Sequence, residues 1–384
     1  MHQLTLGMII LQFRDLQAQY VQYKTQIDAA IQQVLLGTNF IEGKEVKELE
    51  VRLADYVGVK HCITCANGTD ALSLVLMAWG IKEGDAVFVP DFTFFATGEV
   101  VSYCGATPIF VDVCQDTFNI DPTKLEHAII NTQNETNLTP KVVIPVDLFG
   151  LPANYPEIEA IAKKYNLLVL EDGAQGFGGH LNGKKACSFG HAATTSFFPA
   201  KPLGCYGDGG AIFTNDDQLA ELLRSIKIHG KGADKYDNVR IGVNSRLDTI
   251  QAAILNVKLD AFLQHELNDV NRVAQQYNHS LKDSVIIPVI PNGYYSSYAQ
   301  YTIQLKTKKE RDYLQSQLKQ HCIPSMIYYP IPMHKQLAFS QLQFNNRDFK
   351  VTNQLCNTVL SLPIHPYLTN EDIQKVIKIV QQNT

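Results

Sequence analysis

The chain has 384 residues, 45% of them hydrophobic and 18% charged, with a formal net charge of -5. That length suits a large unit plus a smaller one, and the composition excludes a disordered chain. No basic block stands out, so nothing favours nucleic acid or an anionic membrane surface, and no apolar run reaches the roughly 18 residues of a membrane span. The first residues, "MHQLTLGMIILQFRD", lack the basic start of a signal peptide. The eight cysteines are scattered, several of them in apolar runs. This suits reduced thiols and a cytoplasmic protein. Cys62 and Cys65 have CxxC spacing, but no second ligand pair accompanies them, so a structural role is expected instead of zinc.

In chain order, "RDLQAQYVQYKTQIDAAIQQVLL" and "GKEVKELEVRLADYVG" carry apolar residues at helical spacing, and Gly58 closes the second helix. Strands and helices then alternate. "HCITCA", "DAVFVP", "TPIFVDV", "KVVIPVDLFG", "LLVLEDG", "ATTSFF" and "GGAIFTND" read as strands. "GTDALSLVLMAWGI", "TGEVVSYCG" and "YPEIEAIAKKYN" read as helices between them. Such alternation predicts an α/β fold with a mostly parallel sheet, buried on both faces. The large unit is expected over residues 1–255, with a long helix starting near its end. After it, "VIIPVI", "YAQYTIQL", "ERDYLQSQLKQHC" and "EDIQKVIKIVQQ" suggest a small α+β unit over 256–384.

Ligands of open α/β sheets bind outside the carboxyl ends of the strands. Four features fall there. Gly68 and Thr69 open a helix after the first strand, where free N–H groups can hold a phosphate or, equally well, simply be capped. Asp172 ends an apolar strand, where a buried carboxylate needs a cation or a helix to cap. Lys201, in "SFFPAKPLGCYGDGGA", has apolar and glycine-rich flanks that disfavour its charged form and make its amine nucleophilic. The stretch is not a phosphate loop, since Lys201 precedes the glycines, and "GDGGA" leads into a strand. The glycines read instead as room for a ligand to approach the backbone. Finally, "PDFTFFAT" places Phe92, Phe94 and Phe95 at a strand end, as core or as a ring that stacks on a planar ligand. One cofactor uses all four: pyridoxal 5'-phosphate needs a lysine, an acid facing its ring nitrogen, a phosphate cup and a stacking ring.

On these segments the chain resembles fold-type I pyridoxal-phosphate enzymes, and more narrowly the DegT/DnrJ family of sugar-nucleotide aminotransferases. The likeness runs from "FRDLQAQY" and "FIEGKEVKELE" through "LEDGAQGFGG" and "SFFPAKPLGCYGDGGAIFTND" to "GVNSRLDTIQAAIL" and "IYYPIPMH". It implies that Lys201 is the Schiff-base lysine and that Asp172 faces the pyridine nitrogen. Gln175, one helical turn on, would lie near the ring hydroxyl. Gly68, Thr69 and Ser196 would form the phosphate cup, and Phe94 would stack. Asn244 would reach the phosphate of a second subunit, making a homodimer with shared sites. Arg246, Tyr329 and His334 would border the sugar nucleotide. Lysine at 201, where a branch of the family carries histidine, implies transamination instead of deoxygenation.

The implied reaction is ping-pong, with L-glutamate leaving pyridoxamine 5'-phosphate, which then aminates a keto-sugar nucleotide. The wording around Lys201 resembles enzymes that aminate UDP-linked 3-keto N-acetylhexosaminuronic acids for surface polysaccharide. Related enzymes take 4-keto-6-deoxy sugars on UDP, dTDP or GDP, or 3-keto-6-deoxy sugars on dTDP. Two other classes stay open: an enzyme of another pyridoxal chemistry, for which Arg311 or Arg347 would hold an amino-acid carboxylate, and a non-catalytic regulatory sensor.

Overall fold

A computed structural model describes residues 11–234, 236–342 and 348–384; the remaining N-terminal residues and Arg347 lie outside the described residues. The apolar runs become β1 (His61–Cys65), β2 (Asp85–Pro90), β3 (Thr107–Val111), β4 (Thr139–Val143) and β5 (Leu168–Asp172). A small hairpin of β6 (His180–Leu181) and β7 (Lys184–Lys185) follows, then β8 (Ala192–Ser196) and β9 (Gly210–Thr214). Seven of these form one sheet in the order β1-β9-β8-β5-β4-β2-β3. Neighbours from β8 to β3 are all parallel, whereas β9 runs antiparallel to both β8 and β1. β9 is therefore the one reversed strand, so β1, β2, β3, β4, β5 and β8 all present their carboxyl ends at the same edge.

Parallel strands need crossovers, and these supply the covering helices. The crossover helices are α3 (Gly68–Ala78), α4 (Ala96–Tyr103), α5 (Pro122–Glu135) and α6 (Tyr155–Lys164), while α1 (Leu16–Gly37) and α2 (Lys44–Val57) precede β1 and α7 (Asp217–Ile226) follows β9. α2 stops where Gly58 adopts a left-handed backbone at φ 84°. Every residue of β2 is buried, which explains its unbroken apolar reading. Cys62 packs in one core and Cys65 in the core on the opposite face. Residues three apart in a strand point to opposite sides, so this CxxC cannot form a joint site.

α8 (Thr249–Ala261) passes through a π turn at Phe262–Glu266 into α9 (Leu267–Leu281), one long helical run. A second core gathers α9, α10 (Lys308–Gln320), α12 (Asn370–Gln382) and an antiparallel pair, β11 (Tyr301–Gln304) and β12 (Val359–Leu362). β10 (Tyr294–Tyr295) joins the β6–β7 hairpin. α11 (Lys350–Thr358) and β12 form in a stretch with no clear hydrophobic period. "VIIPVI" contributes only a bridge between Ile286 and Gln304. The chain also crosses back: Met333, Phe339 and Phe349 pack into the core of the large sheet, and Leu11 into the second core.

Where β9 begins, it lies directly against the turn into α3. A Cβ on Gly210 would stand 2.5 Å from the Asn67 carbonyl. Gly210→Ala should therefore destabilise the protein by about 1–3 kcal/mol in denaturant unfolding, as overpacking does. Gly37→Ala, with open space around it and no positive φ, should not destabilise.

Candidate active site

The site begins at the shared strand edge. β5 ends in Asp172, which is buried. Its Oδ2 accepts from the Thr97 hydroxyl at 2.9 Å and its Oδ1 from the Ala174 N–H at 3.2 Å. Burial pushes this carboxyl above the usual range, while Thr97, Ala174 and the nearby Lys201 charge pull it back. No helix follows Asp172, contrary to the expectation of one helical turn between it and Gln175. The chain makes a turn instead, with the Gly176 N–H donating to Gly173 O at 3.0 Å and the Gly179 N–H to Gly176 O at 2.7 Å.

Lys201 lies in the β8–β9 loop. Its backbone N–H donates to Phe198 O at 2.9 Å, and its own carbonyl accepts from Arg14 Nη2 at 2.9 Å. Burial lowers the amine's pKa from the ordinary lysine value, and the Asp172 charge opposes that shift. Among the described residues the Lys201 amine has no hydrogen bond or ion pair. The amine is thus desolvated near the Asp172 carboxylate, which favours its neutral, nucleophilic form less than burial alone would.

α3 points its N-terminus at the end of β8. A Cβ on Gly68 would lie 2.7 Å from Ser196 Cβ, so glycine permits this approach. Asn67 caps only the Asp70 N–H, at 2.8 Å. Gly68 and Thr69 occupy the first turn, whose N–H groups have no intrahelical acceptor. With the Ser196 hydroxyl beside them, they form a cup suited to an anion. Ser245, unsuspected from sequence, ties this cup down by accepting from the Ala66 N–H at 3.0 Å and donating to Asp70 Oδ2 at 2.6 Å.

Aromatic and polar side chains close the other side. Gln175 Oε1 accepts from the Phe149 N–H at 2.7 Å, and its Nε2 donates to the Tyr329 hydroxyl at 3.1 Å. Burial raises the pKa of Tyr329, so it stays a neutral phenol. Phe92 is core and Phe95 packs on Phe339 at 5.2 Å, whereas Phe94 is 55% exposed, its ring 6.4 Å from Tyr329. Of the three phenylalanines, only Phe94 is free to stack. His334 is held by Asp91, its N–H on Oδ1 at 2.8 Å and its Nδ1 on Oδ2 at 2.7 Å, with its ring stacked on Phe349.

The description DegT/DnrJ/EryC1/StrS aminotransferase family fits residues 21–381. The chain belongs to this family. A UDP-2-acetamido-2-deoxy-3-oxo-D-glucuronate aminotransferase of Pseudomonas aeruginosa is 47% identical, covering 95% of this chain and 98% of its own. A UDP-N-acetyl-3-dehydro-alpha-D-glucosamine 3-aminotransferase of Acidithiobacillus ferrooxidans is 40% identical over 96% of each chain. A solved DegT DnrJ EryC1 StrS aminotransferase from Brucella abortus is 50% identical, with a TM-score of 0.94 over 97% of this chain and 99% of its own. NtdA of Bacillus subtilis, solved with bound cofactor PMP, is 28% identical, with a TM-score of 0.85 over 94% of this chain and 82% of its own.

The protein is thus a transaminase of the pyridoxal-phosphate class. Its own residues fit that cofactor: an unpaired amine at Lys201, a buried acid at Asp172, and a cup at Gly68 and Ser196 that a Cβ would fill. Among the described residues Asn244 and Arg246 make no hydrogen bond to Lys201, Asp172, Gly68 or Ser196. Asn244 is exposed at a bridge to Ile228, and Arg246 lines a surface groove with His229, Tyr236 and Arg240. The glycines after Lys201 also lie close to other parts of the chain. They serve chain packing: a Cβ would meet Pro199 O at 2.5 Å from Gly204, Gln251 at 3.0 Å from Gly207 and Leu247 at 2.9 Å from Gly209. Arg311 is committed too, donating to the carbonyls of Cys356 and Val359 and to Asp312.

Asp172→Asn removes the charge that supports the Lys201 ammonium, so the Lys201 pKa should fall further. The pH dependence of aldehyde labelling of Lys201 in the cofactor-free protein reads this directly. An unchanged pKa would mean that the two groups do not interact.

Proposed function

We propose that this protein transfers the amino group of L-glutamate to C3 of a UDP-linked 3-keto N-acetylhexosaminuronic acid, in the cytoplasm, on the way to surface polysaccharide. The observation that carries the transferase reading is the unpaired Lys201 amine beside buried Asp172. The sugar rests on the relatives. Three that are 47%, 40% and 39% identical bear names with oxo, dehydro or amino groups at position 3. A 42%-identical relative is named a pleiotropic regulatory protein, which keeps the sensor as a second reading.

When bound, the cofactor would supply an aldehyde for the amino group and an electron-accepting ring. The chain's residues supply the rest. Asp172 holds a proton on the ring nitrogen. The Lys201 Nζ, with its lowered pKa, removes a proton from the amino-acid Cα and returns one at the sugar carbon. Gly68, Thr69 and Ser196 would hold the phosphate, Gln175 and Tyr329 would bond near the ring hydroxyl, and Phe94 would stack on the ring. His334, fixed by Asp91, borders the sugar.

Asn244 and Arg246 act in this proposal on the site of a second copy. The exposed Asn244, the half-buried Arg246 and the exposed Tyr236, Val239 and Ile241 around them support a homodimer with shared sites. Arg246 would meet the uronate carboxylate. A division into units at residue 255 belongs to the same reading. Among the described residues no helix is long and apolar enough to cross a membrane, and the free cysteines support a reducing compartment.

Two experiments test this. The enzyme is converted with glutamate to its amino form, and a panel of keto-sugar nucleotides is screened for return of the aldehyde absorbance. The 3-keto uronate should restore it; recovery with a 4-keto sugar alone would sink the assignment. Separately, mixed Lys201→Ala and Asn244→Ala chains should regain part of the wild-type rate, because one site in the mixed dimer is intact. No regain would place Asn244 outside the shared site.

A further inference from the structure

β5 carries two acids in succession. Asp172 faces the site, and Glu171 points to the opposite face, fully buried. Glu171 accepts from the Cys187 N–H at 2.5 Å and the Phe189 N–H at 2.7 Å. Beyond the end of β4 lies Asp147, also fully buried. Its Oδ1 accepts from the Ala153 N–H at 3.0 Å and the Tyr155 hydroxyl at 2.8 Å. Its Oδ2 is buried and meets no ordinary donor, yet Glu171 lies within hydrogen-bonding reach.

Neither acid has an ion-pair partner among the described residues. The titratable groups that face them are Asp172, Tyr155, Cys187 and Tyr294, none of them cationic. Two carboxylates side by side without a cation are prohibitive in a dry interior. A single proton between them removes one charge and gives Asp147 Oδ2 the donor it lacks.

We propose that Asp147 and Glu171 share one proton as a carboxyl–carboxylate pair, and that this pair positions the turn carrying Asp172 and Gln175. The positioning role rests on the reading of those two residues as cofactor ligands. The geometry ties the pair to that turn at three points. The Asp147 N–H donates to Asp172 O at 3.0 Å. Gly176 lies flat on the Asp147 carboxylate, so that any Cβ there would collide with it. Gly173 passes Glu171, where a Cβ would stand 3.6 Å from Oε1. The residue between these glycines that reaches the site is Gln175.

Burial, and then the Asp147 charge, hold the Glu171 carboxyl well above the usual range, and burial raises Asp147 as well. The folded protein therefore keeps a proton that the unfolded chain sheds near about pH 4. Stability from a raised acid is greatest at low pH and falls as pH rises through neutrality toward the pair's own titration. One retained proton means a tenfold loss in the folding constant per pH unit, or ~1.4 kcal/mol.

Asp147→Asn is the decisive variant. Its amide donates to Glu171 without a shared proton, and its carbonyl still accepts from Ala153 and Tyr155. Wild type should show the infrared carbonyl stretch of a buried protonated carboxyl at neutral pH, and Asp147→Asn should lack it. Between about pH 6.5 and 8.5, wild type should lose stability one proton more steeply than Asp147→Asn. If the variant keeps both the band and the slope, the pair holds no shared proton. Neither readout needs turnover, so failure here is distinct from failure of the transferase reading. For positioning, Asp147→Leu should weaken binding of pyridoxal phosphate, and Asp147→Asn should bind more tightly than Asp147→Leu. Equal binding by the two variants would leave the pair without a positioning role.

Discussion

The site depends on one arrangement: a lysine amine and a buried carboxylate brought together at the carboxyl edge of the sheet. Neither group is stable alone. Burial drives the Lys201 amine toward its neutral form and the Asp172 carboxyl toward its acid form, and each one's charge opposes the other's shift. What keeps Asp172 useful is local: the Thr97 hydroxyl and the Ala174 N–H supply the hydrogen bonds that water would have made. Among the described residues the amine has no such partner, so burial leaves it closer to its neutral, nucleophilic form.

The rest of the architecture brings backbone close enough to build that corner. Gly68 and Gly210 allow α3, β8 and β9 to meet with almost no side-chain volume between them. Arg14, at the start of the described chain, grips the carbonyl of Lys201 from behind and links the first helix to the reactive loop. On the far face of the sheet, the Asp147 and Glu171 acids sit under the turn that carries Gln175. Reactive groups on loops gain precision only when such contacts fix the loops.

Much of this was legible in the residues. The apolar runs with helices between them announced a buried parallel sheet, because strands covered on both faces lose their polar alternation. Asp172 and Lys201 stood out because each is a charge in apolar company, which burial penalises unless chemistry needs it. The antiparallel reversal of β9 was not visible, since "GGAIFTND" reads as a strand in either direction. Nor were α11 and β12, where "KVTNQLCNT" and "VLSL" are too short for a clear period.

The site divides in the same way. Residue type and local flanks marked Lys201, Asp172, Gly68 and the aromatic run around Phe94, since their chemistry is written next to them in the chain. Thr97 on Asp172, Asp91 on His334 and Ser245 on the cup could not be marked, because each pairing joins segments far apart in sequence and depends on where the sheet places them. The glycines after Lys201 show the limit most plainly. Their spacing announces close approach, but only the folded chain shows that Asn67, Gln251 and Leu247 are among the approaching partners. Composition and pattern set the elements and the kinds of chemistry, since these follow from periodicity and burial. Packing decides which groups meet, because contact is a property of the fold and not of the order of residues.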